Sequence, residues 1–392
     1  MAVRGGATHP AAVDACNGKA TFGLEISAMS ADQYLRYDPS VENIRPEEAA
    51  AVEAIVASIS RTSDRTFHKD KHGTRQQHAK GAGYLRGELI VYEDLPDHLR
   101  QGLFKQAGHF PIIVRLSTAF NRSDRVRSPR GFAIKVLGVT GPKALGDDDS
   151  TNQDLLLVNH PSYFADAMAY MRAQHKVEHS LFLPDLAYGP IGFIARVLVA
   201  ASDRTGIPIP IVLKALGDAG SNILGETFHT EGALRFGDYI ARLRLVPISA
   251  SVRQLTGQPC HDSDDAVLNS VAAFFKDNAA EYELFAQLCT DLERTPIEDA
   301  SIDWPEDVAP PQALGKITLP RQTADSPARR VYSDEVLSFD PWRCLAAHQP
   351  LGSIMRLRRD AYRASRTLRQ QQNQGTVKQP PGEPREIADL PD

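Results

Sequence analysis

Residues 74–87 read TRQQHAKGAGYLRG, and they place His78 just before a small-residue turn that leads into a strand. A histidine there can sit close over a flat ligand. With a reference pKa of about 6.5, an imidazole takes a proton near neutral pH and gives it back, which suits the departing oxygen of a peroxide. Arg75, three residues earlier, has the planar fork that matches a carboxylate. Further on, Val114-Arg-Leu-Ser-Thr118 alternates as a strand, so Arg115 and Ser117 share one face. Arg127 to Lys135 follows as RSPRGFAIK. Each piece alone has a plainer reading, since a histidine beside glycines is usually a hydrogen-bonded structural residue and a single strand arginine a surface charge.

The second informative stretch is Pro350 to Arg369, PLGSIMRLRRDAYRASRTLR. On a helix of 3.6 residues per turn, Arg358, Tyr362, Arg366 and Arg369 project from one face. Cations beside a tyrosine favour its phenolate, and a phenolate is a hard anionic donor for ferric iron. The plain alternative is a basic, solvated terminal helix with its tyrosine packed on the body.

Composition narrows the classes. The 392 residues are 42% hydrophobic and 24% charged with a net charge of −5, an ordinary globular balance with no global attraction to nucleic acid or an anionic membrane. Cys16, Cys260, Cys289 and Cys344 lack CxxC spacing, which argues against a disulfide framework, a thiolate zinc site or an iron–sulfur cluster and fits a reducing, cytoplasmic setting. No compact apolar leader and no apolar run of about 20 residues is present, so neither secretion nor a membrane span is expected.

Read in order, residues 1–60 form an N-terminal arm and a helix that opens at Pro46 and ends near Ser60. Residues 61–370 read as one domain, with short strands at Gly87–Tyr92, Ile112–Ser117, Phe132–Leu137 and Leu155–Val158 and a helical insertion over 162–199. Ile207–Leu213, Thr227–Phe236 and Ala241–Ile248 supply further strands, and Asp264–Leu292 reads as one long helix. A Pro- and Asp-rich connection over 294–345 wraps the body before the basic helix, and 371–392 is a polar tail with too little apolar surface to pack independently.

The order and spelling of the motifs resemble the catalase superfamily of haem proteins. Arg-x-x-His-Ala-Lys-Gly-x-Gly is met by Arg75 to Gly83, Val-Arg-Phe-Ser-Thr by Val114 to Thr118 with Leu116 in place of phenylalanine, and Pro-Arg-Gly-Phe-Ala by Pro129 to Ala133. Arg-x-x-x-Tyr falls on Arg358 and Tyr362, and the family's later arginine on Arg369. The resemblance implies an α+β fold: an antiparallel β-barrel of about eight strands over residues 65–250, surrounding helices, a wrapping segment over 251–345 and a C-terminal proximal haem helix over 350–370. It implies haem b, iron protoporphyrin IX, with Tyr362 as the metal ligand, Arg358 stabilising its phenolate and Arg75, Arg115 and Arg369 on the propionates. His78 becomes the distal acid/base and Ser117 its hydrogen-bond partner.

The match departs from the family where the distal asparagine of Asn-Asn-Thr-Pro would stand. Counting without a gap from Asp154 puts Val158 at that position and Asn159 one residue late, so Asn159 joins the catalytic set only if a bulge turns it to the haem face. Ser128 replaces the channel aspartate before Pro-Arg-Gly. These departures, with no further domain after the proximal helix, point to the small catalase-related haem peroxidases and the catalase-like enzymes that act on fatty-acid hydroperoxides. The expected activity is therefore a peroxidase-type oxidoreductase acting on organic hydroperoxides, with an external electron donor or the substrate itself supplying electrons. The alternatives are a true catalase disproportionating hydrogen peroxide and a haem sensor or storage protein with little turnover. A homo-oligomer is expected by analogy alone, and no nucleic-acid partner. His68/His72 and His175/His179 have i,i+4 spacing without HExxH and read as surface or core histidines rather than zinc ligands.

Overall fold

The computed structural model describes residues 33–119, 123–160, 162, 164–180, 185–205, 217, 220–373 and 387–392. Its strands are β1 (Lys80–Val91), β2 (Gly108–Thr118), β3 (Arg130–Leu137), β4 (Asn152–Val158), β5 (Phe228–Thr230), β6 (Leu234–Phe236), β7 (Tyr239–Pro247), β8 (Ala280–Leu288) and β9 (Gln312–Leu319). Hydrogen-bonded neighbours run β5-β4-β3-β2-β1-β9-β8-β7, and β5 pairs back onto β7. Eight strands therefore close an antiparallel barrel, and β6 forms a short hairpin with β7. Closure removes the unpaired edges that an open sheet would expose.

Alternation decides which side chains fill the barrel. Val114 and Leu116 on β2, Phe132, Ile134 and Val136 on β3, Leu243 and Leu245 on β7, and Tyr282 and Leu284 on β8 all enter one buried cluster. Each side chain of this size contributes about 1.5–3 kcal/mol on full burial. The opposite face of β2, β3 and β4 carries Arg115, Ser117, Lys135 and Asp154, all buried, so something must cover them. The cover comes from the helices.

These are α1 (Glu48–Asp70), α2 (Ala167–Ser180), α3 (Asp185–Thr205), the one-turn α4 (Ala250–Arg253), α5 (Ala266–Asp277), α6 (Pro327–Glu335) and α7 (Ser353–Gln372). Among the described residues no helix is long and apolar enough to cross a membrane. Val267, Val271 and Phe275 of α5 join the barrel core. Ile55 and Ile59 of α1, Met168 of α2, and Ile354, Leu357 and Ala361 of α7 form a second cluster outside it. That layer and the outer face of β2–β4 enclose a deep cavity.

The position of α7 is fixed at both ends. Gly352, with φ +88°, precedes it where a Cβ would meet Ile297 O at 2.3 Å, so glycine is required both for the turn and for the close approach. The amides of Gly352 and Ser353 donate to Glu42 Oε1 and Glu298 Oε2, both at 2.9 Å, so carboxylates satisfy the free N–H groups of the first turn. Arg356 binds Glu48 and Glu298 as well, tying α7 to α1. At the other end Asn373 Oδ1 accepts from Gly73 N at 2.7 Å, which holds the end of α7 against the segment that carries Arg75 and His78.

Several expectations need correction. The first helix runs ten residues past Ser60, to Asp70, because Thr62 and Ser63 are buried and continue its inner face. Asp264–Leu292 is not one helix. It divides at Asn278 into α5 and β8, in which Ala280, Tyr282, Leu284, Ala286 and Leu288 are buried with strand periodicity. The barrel accordingly extends to Leu319 rather than ending near 250, and the wrapping segment contributes β9 and α6. The end of the polar tail docks: Leu390 is fully buried with Tyr84, Ile113 and Leu337. The strand expected over 207–213 lies outside the described residues.

One buried histidine makes stability depend on acid. His348 Nε2 accepts from Leu103 N at 2.9 Å and packs against Phe104 and Phe236, and burial pushes its pKa down to about 4. Between pH 6.5 and about 4 the unfolded chain binds a proton that the folded chain refuses, so stability falls as pH falls through that window, by about 3 kcal/mol when complete. Urea midpoints measured from pH 7 to 4.5 are expected to drop, and to drop less in His348→Gln, which cannot take the proton.

Candidate active site

The barrel wall of the cavity is built from two rungs of the sheet. Ser117 pairs with Gly131 and Gly131 with Val158, while Arg115 pairs with Ala133 and Ala133 with Leu156. All six line the cavity. A Cβ on Gly131 would stand 2.5 Å from His78 Nδ1 and 2.7 Å from Ser117 Oγ, so the glycine leaves a cradle in which the imidazole lies against the sheet. Ser117 Oγ is 3.2 Å from His78 Nδ1, and Arg115 donates to the carbonyls of His78 and Ala79 at 2.9 and 3.2 Å. His78 itself has φ +48°, a left-handed backbone unusual outside glycine, and these contacts hold it there. Burial, opposed by Glu231, pushes its pKa down to about 4, so the ring is neutral at pH 7.

Across the cavity stands α7. Arg358 Nη2 donates to Tyr362 Oη at 2.8 Å, the i,i+4 contact expected from the helix. Arg358 Nη1 also lies 2.9 Å from Glu231 Oε2, on the loop after β5. Burial works against the Arg358 charge, but Tyr362 and Glu231 outweigh it and its pKa is pushed further up. For Tyr362 the balance differs from expectation. Burial raises its pKa, Arg358 lowers it and Glu231 raises it again, with a net upward shift. The arginine by itself does not make a phenolate; a cation at the hydroxyl must supply the rest.

Arg75, Arg115 and Arg369 converge at one side of this cavity. Burial, then the neighbouring Arg75, pushes Arg115 down to about 10 and Arg369 down to about 9, and burial lowers Arg75 as well. Their protein acceptors are mostly backbone carbonyls, and the carboxylate paired with them is the half-exposed Asp334, 3.1 Å from Arg75. Arg115 Nε is buried without any partner. Asp334 in contact and Glu335 nearby are the acids that act on these three buried cations, which leaves positive charge that the carboxylates of a haem would offset. The space holds about 1190 Å³ including its opening, ample beside the roughly 300–1,000 Å³ of ordinary ligand pockets. Its remaining walls include Ile55, Ile59, Leu357 and Ala361, which suit a flat apolar ring. The residues fit haem in charge, donor type and shape.

His78, Ser117, Arg75, Arg115, Arg358, Tyr362 and Arg369 thus come to one cavity; Asn159 does not join them. The β3–β4 register is regular through Val158, with no bulge, so Val158 faces the cavity and Asn159 turns away. Its Oδ1 accepts from Arg130 N at 2.8 Å, which places Asn159 outside the candidate catalytic set. Ser128 is buried. His72 lies 3.0 Å from Glu335, and among the described residues no group of three or more metal-ligating side chains is assembled; the side chains of His175 and His179 lie outside the description. Sequence reasoning missed Glu231, Gln77 and Tyr170, all lining the cavity. Gln77 adjoins His78 and could have been suspected, whereas nothing local marks the other two.

Comparison with known proteins agrees with this fold. The family profile described as catalase matches residues 53–180. Catalase of Rattus norvegicus is 27% identical over 298 residues, covering 70% of this chain and 52% of that protein, and catalase isozyme 2 of Cucurbita pepo is 26% identical over 273 residues, covering 65% and 52%. The chain spans about half the length of these relatives. Catalase A from Saccharomyces cerevisiae superposes with a TM-score of 0.54 at 17% identity over 80% of this chain and 64% of that one, and a fungal catalase with 0.53 at 18% over 80% and 63%. These structures share the closed barrel and its helices. With the motifs, the closed barrel and the Tyr–Arg and His–Ser pairs lining one cavity, the chain is similar to catalases in sequence over residues 53–180 and shares their barrel fold.

Proposed function

We propose that this protein is a haem-dependent, peroxidase-type oxidoreductase that reduces organic hydroperoxides, fatty-acid hydroperoxides among them, using haem b bound through Tyr362. The bound haem supplies the redox centre for O–O cleavage. The chain's own residues do the rest. Tyr362 would ligate the iron through its phenolic oxygen, and Arg358, 2.8 Å from that oxygen, would favour the anion. Arg75, Arg115 and Arg369 would hold the propionates. In the tautomer whose Nδ1–H donates to Ser117 Oγ, 3.2 Å away, His78 keeps Nε2 free to take the hydroperoxide proton and return it to the departing oxygen. The overall change is ROOH + AH2 → ROH + H2O + A, where AH2 is an external two-electron reductant.

The observation that carries the peroxidase reading is Val158. It occupies the rung beside Gly131 and His78, so the cavity wall there is apolar and offers no amide to a small polar substrate such as hydrogen peroxide. A second reading, 2 H2O2 → 2 H2O + O2, is supported by the likeness to catalases in sequence. A cytoplasmic setting belongs to the proposal, supported by three buried free cysteines among the described residues, and a homo-oligomer belongs to it by analogy alone.

The purified protein should show ferric haem in its absorption spectrum, consume an organic hydroperoxide rapidly with an added reductant and release little oxygen from hydrogen peroxide. Vigorous oxygen release would instead establish the catalase reading, and absence of haem would sink both. Because His78 works as a neutral base with a pKa of about 4, kcat/KM for the hydroperoxide should be level above about pH 5 and fall about tenfold per unit below pH 4. A fall centred near 6.5 would contradict the buried, neutral ring.

A further inference from the structure

Gln77 Nε2 donates to Tyr170 Oη at 2.7 Å, a hydrogen bond between the residue before His78 and the first turn of α2. Both residues line the cavity. Tyr170 stands edge-on to Phe164, 4.7 Å between ring centroids, and packs with the apolar layer of α1, α2 and α7, so its ring is fixed. Burial raises its pKa, so the hydroxyl keeps its proton at neutral pH. Accepting from Gln77 uses one lone pair; among the described residues no acceptor takes the O–H. Tyr170 is half-buried and Gln77 exposed, so the hydroxyl proton at the cavity wall is left for a ligand or for water. Meanwhile the sheet wall beside His78 ends in Val158, which donates nothing.

Resting on the haem reading above, we propose that Tyr170 is the distal hydrogen-bond donor of this site beside His78 as the base, that Gln77 positions it, and that it holds the alkyl-bearing oxygen of an organic hydroperoxide. His78 then handles the proton and Tyr170 the orientation. The donor comes from the helix layer instead of the barrel wall, which leaves the space over Val158 apolar for the alkyl group. The substrate class that fits is a hydroperoxide with an apolar substituent next to the O–O group.

The test uses fluoride as probe, because fluoride on ferric haem accepts hydrogen bonds from distal donors and its affinity reports them without turnover. In holoenzyme at constant pH, Tyr170→Phe should weaken fluoride binding about tenfold and lower kcat/KM for the hydroperoxide similarly, with the fluoride-free spectrum and haem content unchanged. Gln77→Leu, which keeps the ring but frees the hydroxyl to swing, should give a smaller loss of the same kind. Adding Val158→Asn to Tyr170→Phe should recover fluoride affinity. Fluoride affinity unchanged in both Tyr170→Phe and Gln77→Leu holoenzymes would overturn the assignment. A wild-type protein without haem would instead overturn the underlying reading of the site.

Discussion

Tyr362→Phe is expected to lose haem affinity by on the order of 100-fold or more, and with it nearly all peroxide turnover, while the barrel stays folded. Partners that merely orient a metal ligand are worth roughly 10–100-fold in affinity, and the ligand itself should cost at least as much. The phenylalanine keeps the ring and loses only the oxygen that Arg358 contacts at 2.8 Å. Arg358 remains paired with Glu231, so no charge is left uncompensated and the fold has little reason to change. Haem titration followed by absorbance, beside a urea curve of the apoprotein, separates the two effects. Haem retained with an unaltered spectrum would show that another group is the ligand.

Asp154→Asn should have the largest effect on stability, a loss of about 3–5 kcal/mol. Asp154 Oδ1 lies 2.7 Å from Lys135 Nζ with both side chains at 0% exposure, and Oδ2 lies 2.8 Å from Arg343 Nη1. Oδ2 also accepts from Asp340 N. The substitution removes the carboxylate that lies between two buried cations, so the desolvation of each is offset less. Because Lys135 and Asp154 are partners in the β3–β4 ladder and Arg343 lies in the segment leading to α7, the triad fastens the proximal helix segment to the barrel. Replacing all three by apolar residues of similar volume, Lys135→Met, Asp154→Leu and Arg343→Met, should recover most of the loss, since a buried ion cluster stabilises little relative to a well-packed apolar one. Urea midpoints for the two variants decide the matter; equal losses would mean that the hydrogen bonds to the 340 segment, and not the charges, dominate.

Much of the site was legible because its key pairings are local. Arg358 and Tyr362 meet because residues four apart on a helix must, and Arg115 and Ser117 share a face because strand side chains alternate. The same alternation foretold that Asn159 would turn away without a bulge, and the regular register through Val158 shows that there is none. Where reading failed, a local pattern had two solutions. Asp264–Leu292 carried apolar residues enough for helix throughout, yet its second half became β8 because β7 and β9 each offer a ladder to it. Propensity over a dozen residues cannot see those partners.

By itself, then, the sequence determined the local pairs, Tyr362 with Arg358 on one helix face and Arg115 with Ser117 on one strand face, because spacing dictates which side chains share a face; that His78 pairs with Ser117 and that Arg75, Arg115 and Arg369 act together was what the family resemblance implied. Tertiary structure alone decided what surrounds them. It brought Glu231 to the far side of Arg358, joined Gln77 to Tyr170 across 93 positions, buried Lys135, Asp154 and Arg343 together, and closed β5 onto β7. It also reversed the expected balance at Tyr362, where burial outweighs the arginine. The physical reason is range: dihedral periodicity is set within a few residues, whereas burial, charge compensation and barrel closure depend on segments that meet only when the whole chain has folded.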